Sequence, residues 1–189
     1  MNRIEPLSIE DVPAEVRPIV EGSEQLMGFT ANDVLVMAKW PELLQSLAGV
    51  VNTIYGPSEI DDELKRLVGL VASTAAGCRY CQAHTAHGAG EAGAAEDKIA
   101  AVWEFETSPL FTGAERAALR IARGGGSQPN GVTDEEFKDL LDHFTERQAL
   151  EIVAMVSLFG FLNRWNDTLK TQIEDVPAAF AARVLQQGH

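Results

Sequence analysis

Cys78 and Cys81 stand three residues apart in the run Gly77-Cys78-Arg79-Tyr80-Cys81-Gln82-Ala83-His84-Thr85-Ala86-His87, and they are the only cysteines in the chain. Two of its four histidines, His84 and His87, follow within six residues of the second cysteine. Two thiols at this spacing can close into a disulfide and reopen with little backbone movement, or can chelate a soft metal. A histidine one helical turn later can carry the proton that thiol chemistry requires. Two small apolar residues packed in a core are the third reading.

The elements that position these residues read as helices throughout, with no convincing alternating strand. The expected fold class is all-α, one compact domain of eight to ten helices spanning 1–189. The helices are expected over 11–21, 41–55, 60–76, 79–89, 94–102, 112–123, 134–143, 145–165 and 176–187. Ser58 is the expected cap of the 60–76 helix and Gly77 its stop. Thr112 and Thr133 cap their helices with a carboxylate three residues on (Glu115, Glu136), the capping-box pattern. Gly124 to Gly131 reads as a connector: it lacks a Gly-Lys-Ser/Thr ending and a preceding strand, so it is not a phosphate cradle. The stretches 63–72 and 146–155 look alike, each a Glu-led apolar helix followed by a glycine (Gly77, Gly160) before another helix, which suggests an internal duplication.

Composition narrows the partners. A net charge of -13 and a pI near 4.6 argue against nucleic acid, whose phosphates need a basic stripe, and against anionic lipid. The longest cationic cluster is Lys65-Arg66. No apolar run approaches the roughly 20 residues that cross a bilayer, and the first residues have neither a signal core nor transit-peptide character. The expected location is cytoplasmic, where cysteines stay reduced unless they cycle. A small, neutral substrate or a protein partner follows.

Metal is disfavoured by geometry. Cys78, Cys81, His84 and His87 lie within ten residues of one presumptive helix, which cannot wrap four ligands tetrahedrally around an ion. No metal or cofactor is expected. With Cys78 at the turn and Cys81 in the first helical turn, both sulfurs lie near a helix amino terminus, where orphan N–H groups stabilise a thiolate. Residues 81 and 84 share a face, so His84 can stand beside the Cys81 sulfur as base or relay. His87 lies a turn further on, rotated away, and Tyr80 reads as a packing residue. His143 and His189 read as surface and tail.

A Glu/Arg-bearing apolar helix, then Gly-Cys-x-Tyr-Cys, then His-Thr resembles the carboxymuconolactone decarboxylase superfamily, in its cysteine-containing alkylhydroperoxidase D-like branch. Residues 63–95 look like the core motif. The run Phe159-Gly160-Phe161-Leu162-Asn163-Arg164-Trp165-Asn166-Asp167-Thr168 is similar to the tail of the longer, peroxidase-related members. The resemblance implies an all-helical homo-oligomer (trimer, dimer or hexamer) that reduces small organic hydroperoxides, an antioxidant peroxidase recharged by a thiol or dithiol reductant. It implies Cys81 as the attacking thiol and Cys78 as the resolving one. Two departures stand out. The relay histidine is expected four residues after the second cysteine, where Thr85 stands, so His84 is its nearest substitute. A glutamate is expected twelve residues before the first cysteine, where Arg66 stands, so Glu63 on the same face is its substitute. Arg66 could instead lower the Cys81 pKa directly. His87, Asn163 and Asp167 are further candidates for the pocket. Two alternatives remain: a decarboxylase or lactone-processing enzyme of the parent superfamily, whose members generally lack the cysteine pair, and a non-enzymatic redox-sensing oligomer. The Gly-Ala-rich stretch 83–95 suits close helix packing, including against a second subunit.

Overall fold

The computed structural model describes residues 2–185, and within them every regular element is helical. Ten α-helices follow in order: α1 Arg17–Met27, α2 Asn32–Met37, α3 Pro41–Tyr55, α4 Asp62–Ala76, α5 Arg79–Glu91, α6 Glu96–Ala100, α7 Gly113–Gly126, α8 Asp134–His143, α9 Glu146–Leu169 and α10 Asp175–Val184. Short 3-10 turns cover Ile9–Asp11 and Val102–Glu104. The expectation of one all-helical domain holds. His189 and residues 186–187 of the expected last helix lie outside the described residues.

Helix α4 is the centre of the bundle, packing against α5, α7 and α9. Its Leu67, Val68, Leu70 and Val71 have no solvent exposure and meet Phe105, Leu119, Ile152 and Met155. Each such side chain contributes about 1.5–3 kcal/mol by leaving water. A second cluster, Val16, Val20, Leu35, Met37 and Leu44, joins α1, α2 and α3 and is closed by Leu162 and Trp165 of α9. Close approach of α4 to its neighbours depends on glycine. A Cβ on Gly126 would sit 2.6 Å from the Ala72 carbonyl oxygen, and one on Gly69 would sit 2.6 Å from the Phe159 ring.

That contact corrects one expectation: Gly124 to Gly126 are not loop but the last turn of α7. Their missing side chains are what lets the helix end lie on α4 and on Val132. Other boundaries shift for local reasons. The first helix starts at Arg17, not Asp11, because Val12 is extended before Pro13; Pro18 sits in the first turn instead. Asp61, not Ser58, caps α4 by accepting from the Leu64 N–H at 2.7 Å, while Ser58 bonds Glu151. Helix α9 passes through Gly160 without a break, so the stop required by the suggested duplication is absent there. Capping boxes at Thr112/Glu115 and Thr133/Glu136 are as expected, with a third at Thr145/Gln148.

Candidate active site

Gly77 ends α4 in the left-handed region (φ 76°), a conformation cheap only for glycine, and this reverses the chain into α5. Cys78 then caps α5 and Cys81 occupies its third position. Both thiols are free and buried. Placed at the positive end of a helix dipole, they are joined by a hydrogen bond. The hydrogen bond from Cys81 holds the Cys78 thiol below its ordinary pKa, burial opposing. The same bond, with burial, pushes Cys81 well up. The pair therefore loses its first proton readily and its second reluctantly.

Of the two cysteines, Cys81 is the one that lines a cavity. Cys81, with Arg66, His84 and His87, lines a cavity of about 740 Å³, a volume suited to a small organic ligand. Phe29, Met37, Tyr55, Leu158, Phe159 and Leu162 supply its apolar wall. Cys78 stands behind Cys81, where the charge of Asp167 is felt.

A buried polar chain leads away from Cys81. The Asn166 amide of α9 donates to the Cys81 sulfur at 3.6 Å and lies 3.2 Å from Asp33 Oδ2. Asp33 Oδ1 is 3.1 Å from the Tyr80 hydroxyl, which is 2.9 Å from Glu174 Oε1. Glu174 Oε2 is 2.5 Å from His84 Nε2, and the Asn32 N–H also donates to Glu174. Burial raises the Asp33 pKa against the opposing pull of His84 and Asn166. Burial also disfavours charge on Glu174, but the bond and charge of His84 more than offset it and the carboxyl is held low. A hydroxyl has one proton, so Tyr80 cannot donate to both acids. The hydroxyl lies between the two acids and donates to one of them at a time. Tyr80 itself is pushed well up by burial and by the two carboxylates.

The structure thus brings Cys78, Cys81, His84, Arg66 and His87 together and separates the other candidates from them. His84 reaches the sulfur only through this chain: its Nε2 bonds Glu174 and its ring stacks on Tyr80 at 4.2 Å. Thr85, where the relay histidine was expected, bonds the Cys81 carbonyl of its own helix. Glu63 shares Lys98 with Glu115 at 2.6 and 2.5 Å and is not among the cavity residues. Asn163 and Asp167 line a second, larger hollow of about 1370 Å³ bounded by α7 and α9, with the Asn163 amide buried and unpaired. Arg66 is not among the main groups that set the Cys81 pKa; it lies over the Tyr55 ring at 4.3 Å. His87 packs edge-on to Phe29 and Phe180, and burial lowers its pKa.

Sequence reasoning missed Asp33, Asn166 and Glu174 and took Tyr80 for packing alone. Asn166 lies in the run quoted for the family tail, so a signal existed. Asp33 stands on a short helix that no periodicity announced. Glu174 precedes α10 and carries no motif.

Residues 41–124 match the carboxymuconolactone decarboxylase family. Among curated proteins, the uncharacterized protein YnjA of Escherichia coli (strain K12) is 28% identical over 127 residues, 67% of each chain. Among solved structures, the debrominase Bmp8 is 36% identical, covering 96% of this chain and 97% of its own, with a TM-score of 0.90. A cysteine-to-alanine variant of that debrominase has been solved in complex with 2,3,4-tribromopyrrole. An uncharacterized peroxidase-related protein from Ralstonia eutropha JMP134, with an alkylhydroperoxidase AhpD core, is 19% identical over 95% of each chain with a TM-score of 0.84. The motif at the thiols, the helical fold and these matches agree: the chain belongs to the carboxymuconolactone decarboxylase family.

Proposed function

We propose that the protein is a thiol-dependent reductase that reduces organic hydroperoxides by two electrons through a Cys78/Cys81 disulfide cycle. The observation that carries the reading is the placement of two free thiols at the start of α5, one lining an apolar cavity and the other behind it. Cys81 passes its proton to Cys78 and attacks the terminal peroxide oxygen. The O–O bond breaks, the alkoxide takes up a proton to leave as alcohol, and Cys81 becomes a sulfenic acid. Cys78 then attacks the Cys81 sulfur and expels the hydroxyl as water. One hydroperoxide and two thiols give alcohol, water and a disulfide, which an external thiol or dithiol reduces again. The chain Asn166–Asp33–Tyr80–Glu174–His84 supplies a path for protons near the attacking sulfur.

A second reading is reductive debromination of an aromatic ring. It is favoured by the 36% identity to a debrominase and by the aromatic cavity wall. There Cys81 takes bromine from carbon, the ring carbon gains a proton, and Cys78 displaces bromide to form the same disulfide. The test exposes reduced protein to one equivalent of cumene hydroperoxide or of a bromopyrrole and maps both cysteines by mass. Disulfide with alcohol release supports the first reading, and disulfide with bromide release supports the second. Two thiols that survive both reagents refute both. C81S is expected to abolish turnover, and C78S, without the thiolate that accepts the Cys81 proton, to form the sulfenic acid slowly and to stop there.

A further inference from the structure

We infer that the Cys81 cavity carries a carboxylate-binding subsite built on Arg66, so that the preferred substrate is an organic acid. The inference rests on the reading of this cavity as the substrate site. Arg66 lines the cavity but forms no ion pair with any described residue. An uncompensated guanidinium in a partly buried position is costly unless something anionic completes it. In a chain of net charge -13 the absence of a partner is informative, since acids abound.

The nearby carboxylates do not serve. Asp62 pairs with Lys65 at 3.7 Å and Glu91 approaches His87 at 4.0 Å; both side chains stand at the solvent edge, 71% and 78% exposed. Asp33 is engaged by the Tyr80 hydroxyl and the Asn166 amide.

The guanidinium is also held in place. It stacks on the Tyr55 ring of α3 at 4.3 Å. On its other side Gly88 of α5 leaves the room: a Cβ there would lie 3.1 Å from Nη1 and 3.3 Å from Cζ. Clamped between a ring and a glycine, the planar fork can present its edge donors to a carboxylate bidentately. Tyr55 links this end to the chemistry, because it lines the same cavity as Cys81. A substrate with its carboxylate on Arg66 lays its apolar body along Phe29, Phe159 and Leu162 and turns its reacting atom toward Cys81.

The test titrates benzoate and benzyl alcohol against the reduced full chain by ligand-observed NMR, in wild type, R66K and R66Q. Oxidation of the cysteines by cumene hydroperoxide and by a bromopyrrole is followed in parallel. Benzoate is expected to bind wild type at least tenfold more tightly than benzyl alcohol. R66Q should erase that preference, and R66K, which keeps the charge without the fork, should retain part of it. Equal affinities in wild type, or a preference unchanged in R66Q, overturn the subsite whatever the thiols do. Arg66-dependent benzoate binding with thiols inert to both oxidants supports the subsite and instead overturns the dithiol reading. The wild-type comparison stands even if R66Q fails to fold.

Discussion

Glu174→Gln tests the buried acid pair at its most connected member. Its carboxylate accepts from the Tyr80 hydroxyl at 2.9 Å, the Asn32 N–H at 2.5 Å and His84 at 2.5 Å, tying α2, α5 and the start of α10 together. Exchanging a charged for a neutral acceptor weakens each contact by about 1 kcal/mol, or about 3 kcal/mol for three. Removing a half-buried charge returns about 1 kcal/mol of desolvation. The net loss is about 2 kcal/mol at pH 7, or about 4–8 °C in Tm for a chain of this size. The pH dependence has a definite sign. The folded-state pKa of Glu174 is depressed below the ordinary 4.5, so its contribution is present above that value and is lost as pH falls through the folded pKa. Urea unfolding of both proteins between pH 7 and pH 3 should therefore show a gap that is constant above about pH 5 and closes below it. Equal midpoints at pH 7, or a gap that survives full protonation, would refute the proposed role of the ionised Glu174.

Three further outcomes are expected. G126A should cost about 3 kcal/mol, more than the 1–2 kcal/mol of G69A, in thermal unfolding: the new methyl in G126A meets the Ala72 backbone, whereas in G69A it meets a Phe159 ring that can shift into the cavity. E63Q should lower stability by about 1 kcal/mol through its bond to Lys98 while leaving the rate of disulfide formation unchanged; a slowed rate would return Glu63 to the site. N166A should slow iodoacetamide alkylation of Cys81 about tenfold, because a hydrogen bond to a charged sulfur is worth about 1.5 kcal/mol; an unchanged rate, followed by mass mapping, removes Asn166 from the relay.

The fold was legible because helix boundaries here are written in local chemistry. The boxes at Thr112 and Thr133, the stop at Gly77 and the apolar spacing of α3 and α4 need no tertiary information. The glycines at the end of α7 misled, because glycine marks both a loop and a close helix contact, and only the position of Ala72 decides between them. The thiol pair was legible because spacing and helix start are one-dimensional. Its proton chain was not. Asp33 and Glu174 stand 45 residues before and 96 after Cys78, on segments with no chemical pattern, and only the packing of α2 and the start of α10 on α5 assembles them. His84 shows the same limit: it shares a face with Cys81, yet its ring follows Tyr80 and Glu174.

The ionisation of the pair also bears on which sulfur attacks. Taken alone, the depressed pKa of Cys78 would make it the nucleophile. Cys81, however, is the sulfur that lines the cavity and the one that accepts from Asn166. The two facts are compatible if Cys78 serves first as the base for its neighbour. The Cys81 thiol proton, directed at Cys78, moves to Cys78 as Cys81 meets the substrate, and leaves when Cys78 in turn attacks Cys81. In this order the charge of Asp167, which disfavours anion at Cys78, assists the first transfer. D167N is then expected to lower the pH at which Cys78 is alkylated and to slow oxidation of Cys81, two changes of opposite benefit to the cycle. A D167N protein that oxidises faster at neutral pH would instead place the first attack on Cys78.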